Sequence, residues 1–249
     1  MPRANRYFLP GHAWHLTHRC HKRQFLLKFA RDRRAWVHWL YQARKRYGLC
    51  VLNYIVTSNH IHLLVKDKGQ GEIARSMQLI DGRVAQQFNR RKSRKGAFWE
   101  DRYHATAVQS DGHLARCMVY IDLNMVRAGV VQHPADWVHA GYNEIQSLTQ
   151  RYRCIDVPAL TALLGIADAS SLRDQLREWV DVALASGDLD RQPVWTQSIA
   201  VGQRAYLDAI GHDLKITHPG RIVEGAPDIL FLREEPNTYS LKRCFKSAI

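Results

Sequence analysis

The 249-residue sequence has none of the long apolar segments that mark a membrane or secreted protein. It contains no apolar run of about 18 residues, the length that a transmembrane helix needs. Its first segment, MPRANRYFLPGH, lacks the apolar stretch of a signal peptide. Hydrophobic residues still make up 46% of the chain, which is enough to fill a core. We therefore expect a cytoplasmic globular protein without a membrane partner.

Cysteine is scarce as well, and its spacing excludes two kinds of site. The five cysteines are odd in number and include no C-x-x-C pair; they are Cys20, Cys50, Cys117, Cys154 and Cys244. A disulfide framework and a thiolate zinc site both need paired or clustered cysteines. We expect these residues to be buried or incidental thiols. The sequence also contains no internal repeat and no low-complexity tract.

Negative charge is sparse in the first three-fifths of the chain. Residues 1–150 contain 24 Lys and Arg against 10 Asp and Glu, a net charge of +14, whereas residues 151–249 carry −1. A field of one sign attracts polyanions, and nucleic acid is the usual one. The alternative is a basic surface that serves only solubility.

Alternating strand-like and helix-like patterns predict an α+β domain in the first 130 residues. We predict strands at 12–20, 50–59, 60–66 and 97–109, and helices at 30–48 and 71–91. The order β-α-β-β-α-β is that of a ferredoxin-like sandwich, in which two helices cover one face of a four-stranded sheet. This arrangement is the predicted fold class.

A third helix is predicted to begin near Asp111 and to end at Gly129. Arg116, Tyr120 and Asn124 are spaced four residues apart along it, so they share one face.

The pattern loosens toward the end of the chain. Amphipathic spacing predicts helices at 170–188 and 198–211, whereas the tail 232–249 is expected to be poorly ordered or docked by a few residues. The chain therefore divides into a domain of residues 1–145 and a mostly helical extension of residues 146–249.

The segment YIVTSNHIHLLVK places two histidines one residue apart in an apolar strand. His60 and His62 project from the same face because side chains alternate along a strand. Their backbones are roughly 7 Å apart, so the two rings can share one ion. Two polar surface histidines are the alternative.

Three separated segments carry a resemblance to a known family: NHIHLLV, FNRRKSRKGAFWEDRYHA and VYIDLNMVRAGVV. Together they resemble the IS200/IS605-like single-tyrosine transposases, and most closely the REP-associated tyrosine transposases, over about residues 5–145. The resemblance implies the ferredoxin-like fold of HUH endonucleases for the domain of residues 1–145.

The sequence also departs from the family pattern in three places. Thr57 and Ser58 replace a common Met-Pro, Met125 replaces a proline, and WVHAGY replaces a Trp-Ser-Ser segment. Because proline removes a backbone donor, Met125 should let the third helix continue more regularly.

The resemblance implies a metal-dependent endonuclease and transesterase that nicks and joins single-stranded or hairpin DNA, including REP-type palindromes. Tyr120 would attack the phosphorus, give a 5′-phosphotyrosine and free a 3′-OH. His60, His62 and Asn124 would hold Mg²⁺ or Mn²⁺. Whether the chain acts as a monomer or a homodimer stays open.

Basic and aromatic side chains near these segments are the predicted DNA contacts. They are Arg3, Arg6, Arg19, Lys22, Arg23, Arg90, Arg91, Lys92, Arg94, Lys95, Phe98, Trp99, Arg102, Arg116 and Arg127. The run NRRKSRKG combines phosphate-neutralising charge with the aromatic residues that follow it. A solvated loop is the alternative for this run, and the extension could enlarge the DNA-binding surface.

Three other hypotheses stay open. A sheet of this kind also occurs in RNA-binding modules, which would not need Tyr120. The segments HLT (15–17) and HAT (104–106) mimic the two H-x-T motifs of metal-independent 2H phosphoesterases. Finally, His12, His15, His18 and His21 recur around Cys20 as in a zinc cluster, although this spacing suits a helix better than a strand.

Overall fold

The structure is a computed structural model that describes residues 8–147, 153–187, 189–214, 221–224 and 229–233. Arg3, Arg6, Cys244 and nearly all of the predicted tail lie outside the described residues. Within the described part, no helix is long and apolar enough to cross a membrane.

The N-terminal part follows the predicted order of strands and helices. Its elements are β1 (Ala13–Arg19), α1 (Ala30–Tyr47), β2 (Cys50–Val56), β3 (His60–Lys66), α2 (Glu72–Arg91) and β4 (His104–Val108). These strands occur in the spatial order β2-β3-β1-β4, and all the pairs within them are antiparallel. The predicted ferredoxin-like α+β fold is confirmed.

Helices and strands alternate through the rest of the described chain. The elements are α3 (Gly112–Asp122), α4 (Asn124–Arg127), α5 (Gly141–Gln146), α6 (Val157–Leu164), α7 (Ala169–Ser186), α8 (Val194–Gln197), β5 (Ala200–Gly202), α9 (Arg204–Asp213), β6 (Arg221–Glu224) and β7 (Leu230–Arg233). The last three strands extend the sheet beyond β4 in the order β5-β7-β6. The extension is therefore helical in its first half and joins the sheet in its second.

Three local predictions differ from the structure. The strand predicted at 97–109 forms only over His104–Val108, because residues 98–100 bond to the chain around the end of β1 in an irregular way. The helix predicted at 198–211 begins only at Arg204, since Ala200 and Val201 pair with β4.

The third predicted helix is also interrupted. α3 ends at Asp122, and Leu123 has φ −77° and ψ 2°, after which α4 makes one further turn. Met125 in place of proline therefore does not give one regular helix.

The sheet has a helix-covered face and a face that carries the histidines. α1 and α2 pack against each other, with Trp36 and Leu40 of α1 and Met77 and Ile80 of α2 fully buried. Leu16 points toward this layer, and the alternation of β1 sends its neighbours to the opposite face. The opposite face is where α3 and the extension meet the sheet.

Candidate active site

Two neighbouring strands place three histidines on one face of the sheet. In the antiparallel register, Thr17 of β1 lies opposite His62 of β3, and Arg19 lies opposite His60. His15, two residues before Thr17, therefore shares their face. The rings of His60 and His62 are 5.0 Å apart between centroids and are steeply inclined to each other.

His62 is buried and has a partner on each ring nitrogen. Its Nδ1 lies 2.9 Å from Nε2 of His15, and its Nε2 lies 3.0 Å from the amide nitrogen of Asn124. Burial, followed by the nearby His15 and His60, lowers the pKa of His62 well below its ordinary value. The ring is therefore neutral at neutral pH.

His60 is held by the turn between β2 and β3. Its Nδ1 lies 2.8 Å from Oδ1 of Asn59 and 2.9 Å from Oγ1 of Thr57. The amide oxygen only accepts, so Nδ1–H is the donor and Nε2 keeps its lone pair. Burial, with a smaller contribution from Arg19, lowers the pKa of His60 to about 4. This ring too is neutral at neutral pH.

Tyr120 approaches these histidines from α3, whose buried stripe of Leu114, Met118 and Ile121 packs into the core. The tyrosine ring lies 5.9 Å from the His62 ring between centroids, almost perpendicular to it.

A guanidinium covers the tyrosine. The central carbon of Arg127 lies 4.1 Å from the centroid of the Tyr120 ring, and Arg127 also donates to the Tyr120 carbonyl oxygen. Burial raises the pKa of the phenol, whereas Arg127 and Arg191 act against that rise. The resting phenol is therefore neutral, and positive charge stands next to it.

These side chains line one cleft of about 730 Å³. Its lining residues are Thr17, His18, Arg19, Arg23, His60, His62, Glu100, Asp101, Arg102, His104, Tyr120, Asn124, Arg127, Ala128, Leu189, Asp190, Arg191, Thr196 and Gln197. The structure thus brings together the tyrosine, the two histidines and the asparagine that the sequence predicted as a unit.

The residues present fit a divalent metal ion. Nδ1 of each ring is engaged in a hydrogen bond, which leaves a lone pair on Nε2 of His60 and on Nε2 of His62, and the Asn124 side chain contacts the latter. Rotation of the Asn124 amide would present its oxygen instead of its nitrogen. Among the described residues no three His, Cys, Asp or Glu side chains cluster as ligands, so a third protein donor would be this amide. Two imidazoles and an amide leave coordination positions for phosphate oxygens.

Positive charge in the cleft comes from both parts of the chain. Arg19, Arg23, Arg102 and Arg127, all predicted as DNA contacts, line it. Arg191 of the extension joins them and was not foreseen, because it lies sixty residues beyond the last family-like segment. The cleft is therefore suited to anionic phosphates.

The other predicted DNA contacts that the structure describes do not line the cleft. Lys22, Arg90, Lys92, Lys95 and Arg116 are exposed elsewhere. These five side chains can only serve a more distant part of a bound strand.

Four of the predicted contacts already have partners within the protein. Arg91 pairs with Asp32, and Arg94 donates to carbonyl groups of its own loop. Phe98 is 2% exposed and Trp99 stacks on His18, so Phe98 cannot serve as a platform for bases and Trp99 has one face covered.

The geometry disfavours two of the alternative hypotheses. His15 and His18 lie on opposite faces of β1, and His18 bonds to Asp81 of α2, so the four recurring histidines do not converge on zinc. In the H-x-T pair, His15 is fully buried with both nitrogens in use, and Thr106 donates to the Ser198 carbonyl. Neither residue is open to a substrate.

Residues 9–124 match the family described as "Transposase IS200 like". This part of the chain belongs to the IS200-like transposase family. The match spans β1 to Asn124 and so includes both histidines of β3 and Tyr120. Over this part of the chain, the family expected from the sequence is confirmed.

Two solved structures are similar to the transposase chain. One is described as a REP-associated tyrosine transposase bound to a REP hairpin; it is 18% identical, covers 61% of this chain and 88% of its own, and has a TM-score of 0.50. The other is described as a candidate transposase from Deinococcus radiodurans R1, with 16% identity, coverage of 41% and 83%, and a TM-score of 0.33. The first supports the fold. No curated protein sequence matches the chain significantly.

Sequence reasoning missed two groups next to the proposed ligands of the transposase. His15 contacts His62, and the carbonyl oxygen of Trp195 contacts His15. The spacing of His15 suggested only a zinc cluster or an H-x-T motif, and a backbone carbonyl 180 residues away leaves no sequence signal.

Proposed function

We propose that the chain is a metal-dependent single-stranded DNA endonuclease and transesterase that uses Tyr120 as its nucleophile. The observation that carries this proposal is that Tyr120 shares one cleft with His60, His62 and Asn124. A nucleophile, two neutral imidazoles and an amide on one surface are the groups that phosphodiester transesterification requires. Membership of the IS200-like family supports the same reaction.

In the proposed step, the Tyr120 hydroxyl oxygen attacks the phosphorus of a phosphodiester. A bond forms between that oxygen and phosphorus, the bond between phosphorus and O3′ breaks, and the 3′ oxygen leaves as a hydroxyl. The product is a 5′-phosphotyrosine. Attack by another 3′-OH reverses the step and joins two strands, so no outside energy source is needed.

The surroundings of Tyr120 set the cost of this attack. A neutral phenol is a weak nucleophile, and burial raises the pKa of Tyr120 further. The Arg127 guanidinium over the ring favours the negative charge that develops on the oxygen. We assign this role to Arg127 in addition to DNA contact.

His60, His62 and Asn124 are the proposed metal ligands. The lowered pKa values of His60 and His62 keep both rings unprotonated at neutral pH, as metal binding requires. When bound, Mg²⁺ or Mn²⁺ would act as a Lewis acid toward a phosphate oxygen.

Hairpin DNA is the proposed substrate. Arg19, Arg23 and Arg102 line the cleft and can neutralise phosphates on either side of the cleaved bond. The structure described as bound to a REP hairpin shares the fold, which supports REP-type palindromes as candidates. Residues 1–145 would supply the catalytic groups, and the extension would add Arg191 to the phosphate-binding surface.

Labelled single-stranded hairpin DNA, incubated with the full chain and Mg²⁺ or Mn²⁺, tests the proposal. We expect a nicked strand and a protein–DNA adduct that survives denaturing electrophoresis. Tyr120→Phe and His60→Ala should lose both products. Tyr103→Phe is the matched control, because Tyr103 is also a mostly buried tyrosine but does not line the cleft.

Cutting by Tyr120→Phe at the native rate would refute the proposal. Cutting that needs no metal and leaves no adduct would favour the H-x-T mechanism, and RNA binding without any cutting would favour the RNA-binding module.

A further inference from the structure

A chain of side-chain hydrogen bonds links His62 to the C-terminal extension. We propose that His15, held by the backbone carbonyl of Trp195, is a positioning residue that fixes the ring orientation and the tautomer of His62. This inference rests on the proposed function only where it treats His62 as a metal ligand.

The Trp195 carbonyl fixes the donor and the acceptor in both hydrogen bonds of His15. The Trp195 carbonyl can only accept, so His15 donates to it through Nδ1–H at 2.8 Å. A neutral imidazole then has a lone pair on its other nitrogen, and His15 Nε2 must accept from Nδ1–H of His62 at 2.9 Å. His62 is left with its lone pair on Nε2, the nitrogen that faces Asn124 and the cleft.

The packing around His15 places it against His62 and shields it from solvent. The residue is fully buried, and its ring stacks on that of His62 at 5.0 Å with an angle of 14° between the planes. A fully buried ring between a carbonyl oxygen and a second imidazole favours the neutral form, which can accept through Nε2. Such a partner on the far nitrogen commonly orients metal-ligating histidines.

The carbonyl that starts the chain of bonds is itself firmly placed. The Trp195 side chain is fully buried, packs 6.2 Å from the Tyr120 ring, and donates to Gln192. The carbonyl of Ser198, three residues after Trp195, accepts a hydrogen bond from Thr106 of β4 at 2.7 Å. A segment outside residues 9–124, the part that matches the family, therefore controls a residue inside it.

The tautomer of His62 can be measured directly by ¹⁵N NMR of the imidazoles in the full chain, without metal or DNA. We expect Nδ1–H in the native protein. His15→Leu should convert His62 to the Nε2–H form, and His15→Gln should restore Nδ1–H because its amide oxygen can accept near the position of Nε2. Thr106→Val is the control, since it loosens the same segment without touching His62.

Manganese affinity, measured by electron paramagnetic resonance, supplies the second readout. Loss of a ligand's outer partner typically weakens metal binding by about 10- to 100-fold, and we expect a loss of about this size for His15→Leu with recovery in His15→Gln.

Three results would overturn the positioning role: Nε2–H in native His62, an unchanged tautomer in His15→Leu, or an equal loss of affinity in Thr106→Val. If the native chain bound no Mn²⁺, the proposed function would fail instead, and the NMR result would still decide the role of His15.

Discussion

Removing the charge of Arg127 should slow strand cleavage without removing the nucleophile. Its guanidinium carbon lies 4.1 Å from the Tyr120 ring centroid, and the side chain also donates to the Tyr120 carbonyl. Arg127→Gln keeps a hydrogen-bond donor on a shorter side chain but has no charge. We expect the pKa of Tyr120, already raised by burial, to rise further and the cleavage rate to fall.

The size of the effect follows from the geometry. Two unit charges 4.1 Å apart interact by about 4 kcal/mol at an effective dielectric constant of about 20, which sets an upper limit. Most phenolate charge lies on the hydroxyl oxygen, farther from the guanidinium than the ring centroid, so we take about 2 kcal/mol. Since about 1.4 kcal/mol in the activation free energy corresponds to a tenfold change in rate, cleavage should slow by about thirtyfold.

Single-turnover cleavage of hairpin DNA, followed with saturating enzyme and metal, is the suitable assay. Saturation separates the chemical step from weaker DNA binding. Arg116→Gln is the matched control, because Arg116 is an exposed arginine of α3 that does not line the cleft. A rate for Arg127→Gln within twofold of the control would refute the electrostatic argument.

Three further predictions concern stability and metal. Gly141→Ala should destabilise the fold by about 1–3 kcal/mol, because a Cβ there would lie 2.2 Å from Asn53 Oδ1. Gly82→Ala should stabilise the fold by about 0.5–1 kcal/mol, because its Cβ would lie in open space on α2. Denaturant titration measures both changes in the free energy of unfolding. Burial, followed by the nearby Arg33 and Arg34, lowers the pKa of His139 to about 4 in the folded protein. Between about pH 6.5 and 4, His139 therefore binds a proton more readily in the unfolded chain than in the folded one, and the stability of the fold should fall as the pH is lowered through this range. His139→Asn should weaken that dependence in thermal scans. Mn²⁺ should raise the unfolding temperature of the native chain, EDTA should reverse the rise, and His60→Ala should show neither effect.

Each of these predictions has an outcome that contradicts it. Equal stabilities for the Gly141 and Gly82 variants would show that the backbone around Asn53 yields without cost. A thermal profile of His139→Asn that overlays the native one from pH 4 to 6.5 would exclude His139 as a contributor. A metal-induced rise that survives in His60→Ala would place the ion elsewhere.

The sequence predicted those features that depend on local periodicity. Trp36, Leu40 and Ala43 recur at helical spacing and are buried in α1, and alternation along β3 gave the shared face of His60 and His62. The placement of Tyr120 beside them needed the resemblance as well, since helix spacing alone does not say where a helix docks.

Features built from distant residues could not be predicted. The strands β5, β6 and β7 have only three or four residues each, too few to show alternation. Arg191 reaches the cleft only because the extension folds back onto the sheet. The break at Leu123 persists although Met125 stands in place of the family's proline, so the absence of that proline was not a sufficient signal for one continuous helix.

The parallel pairing with β5 covers the edge of the four-stranded sheet at β4. Amide groups of Ala107 and Gln109 donate to carbonyls of Ile199 and Val201, so the rim of the ferredoxin-like unit is capped by later residues of the same chain. A fragment cut after residue 145 would leave these groups unpaired next to apolar Ala107 and Val108, the arrangement that invites strand addition from another molecule. Shortened versions of this protein should therefore be prone to aggregate.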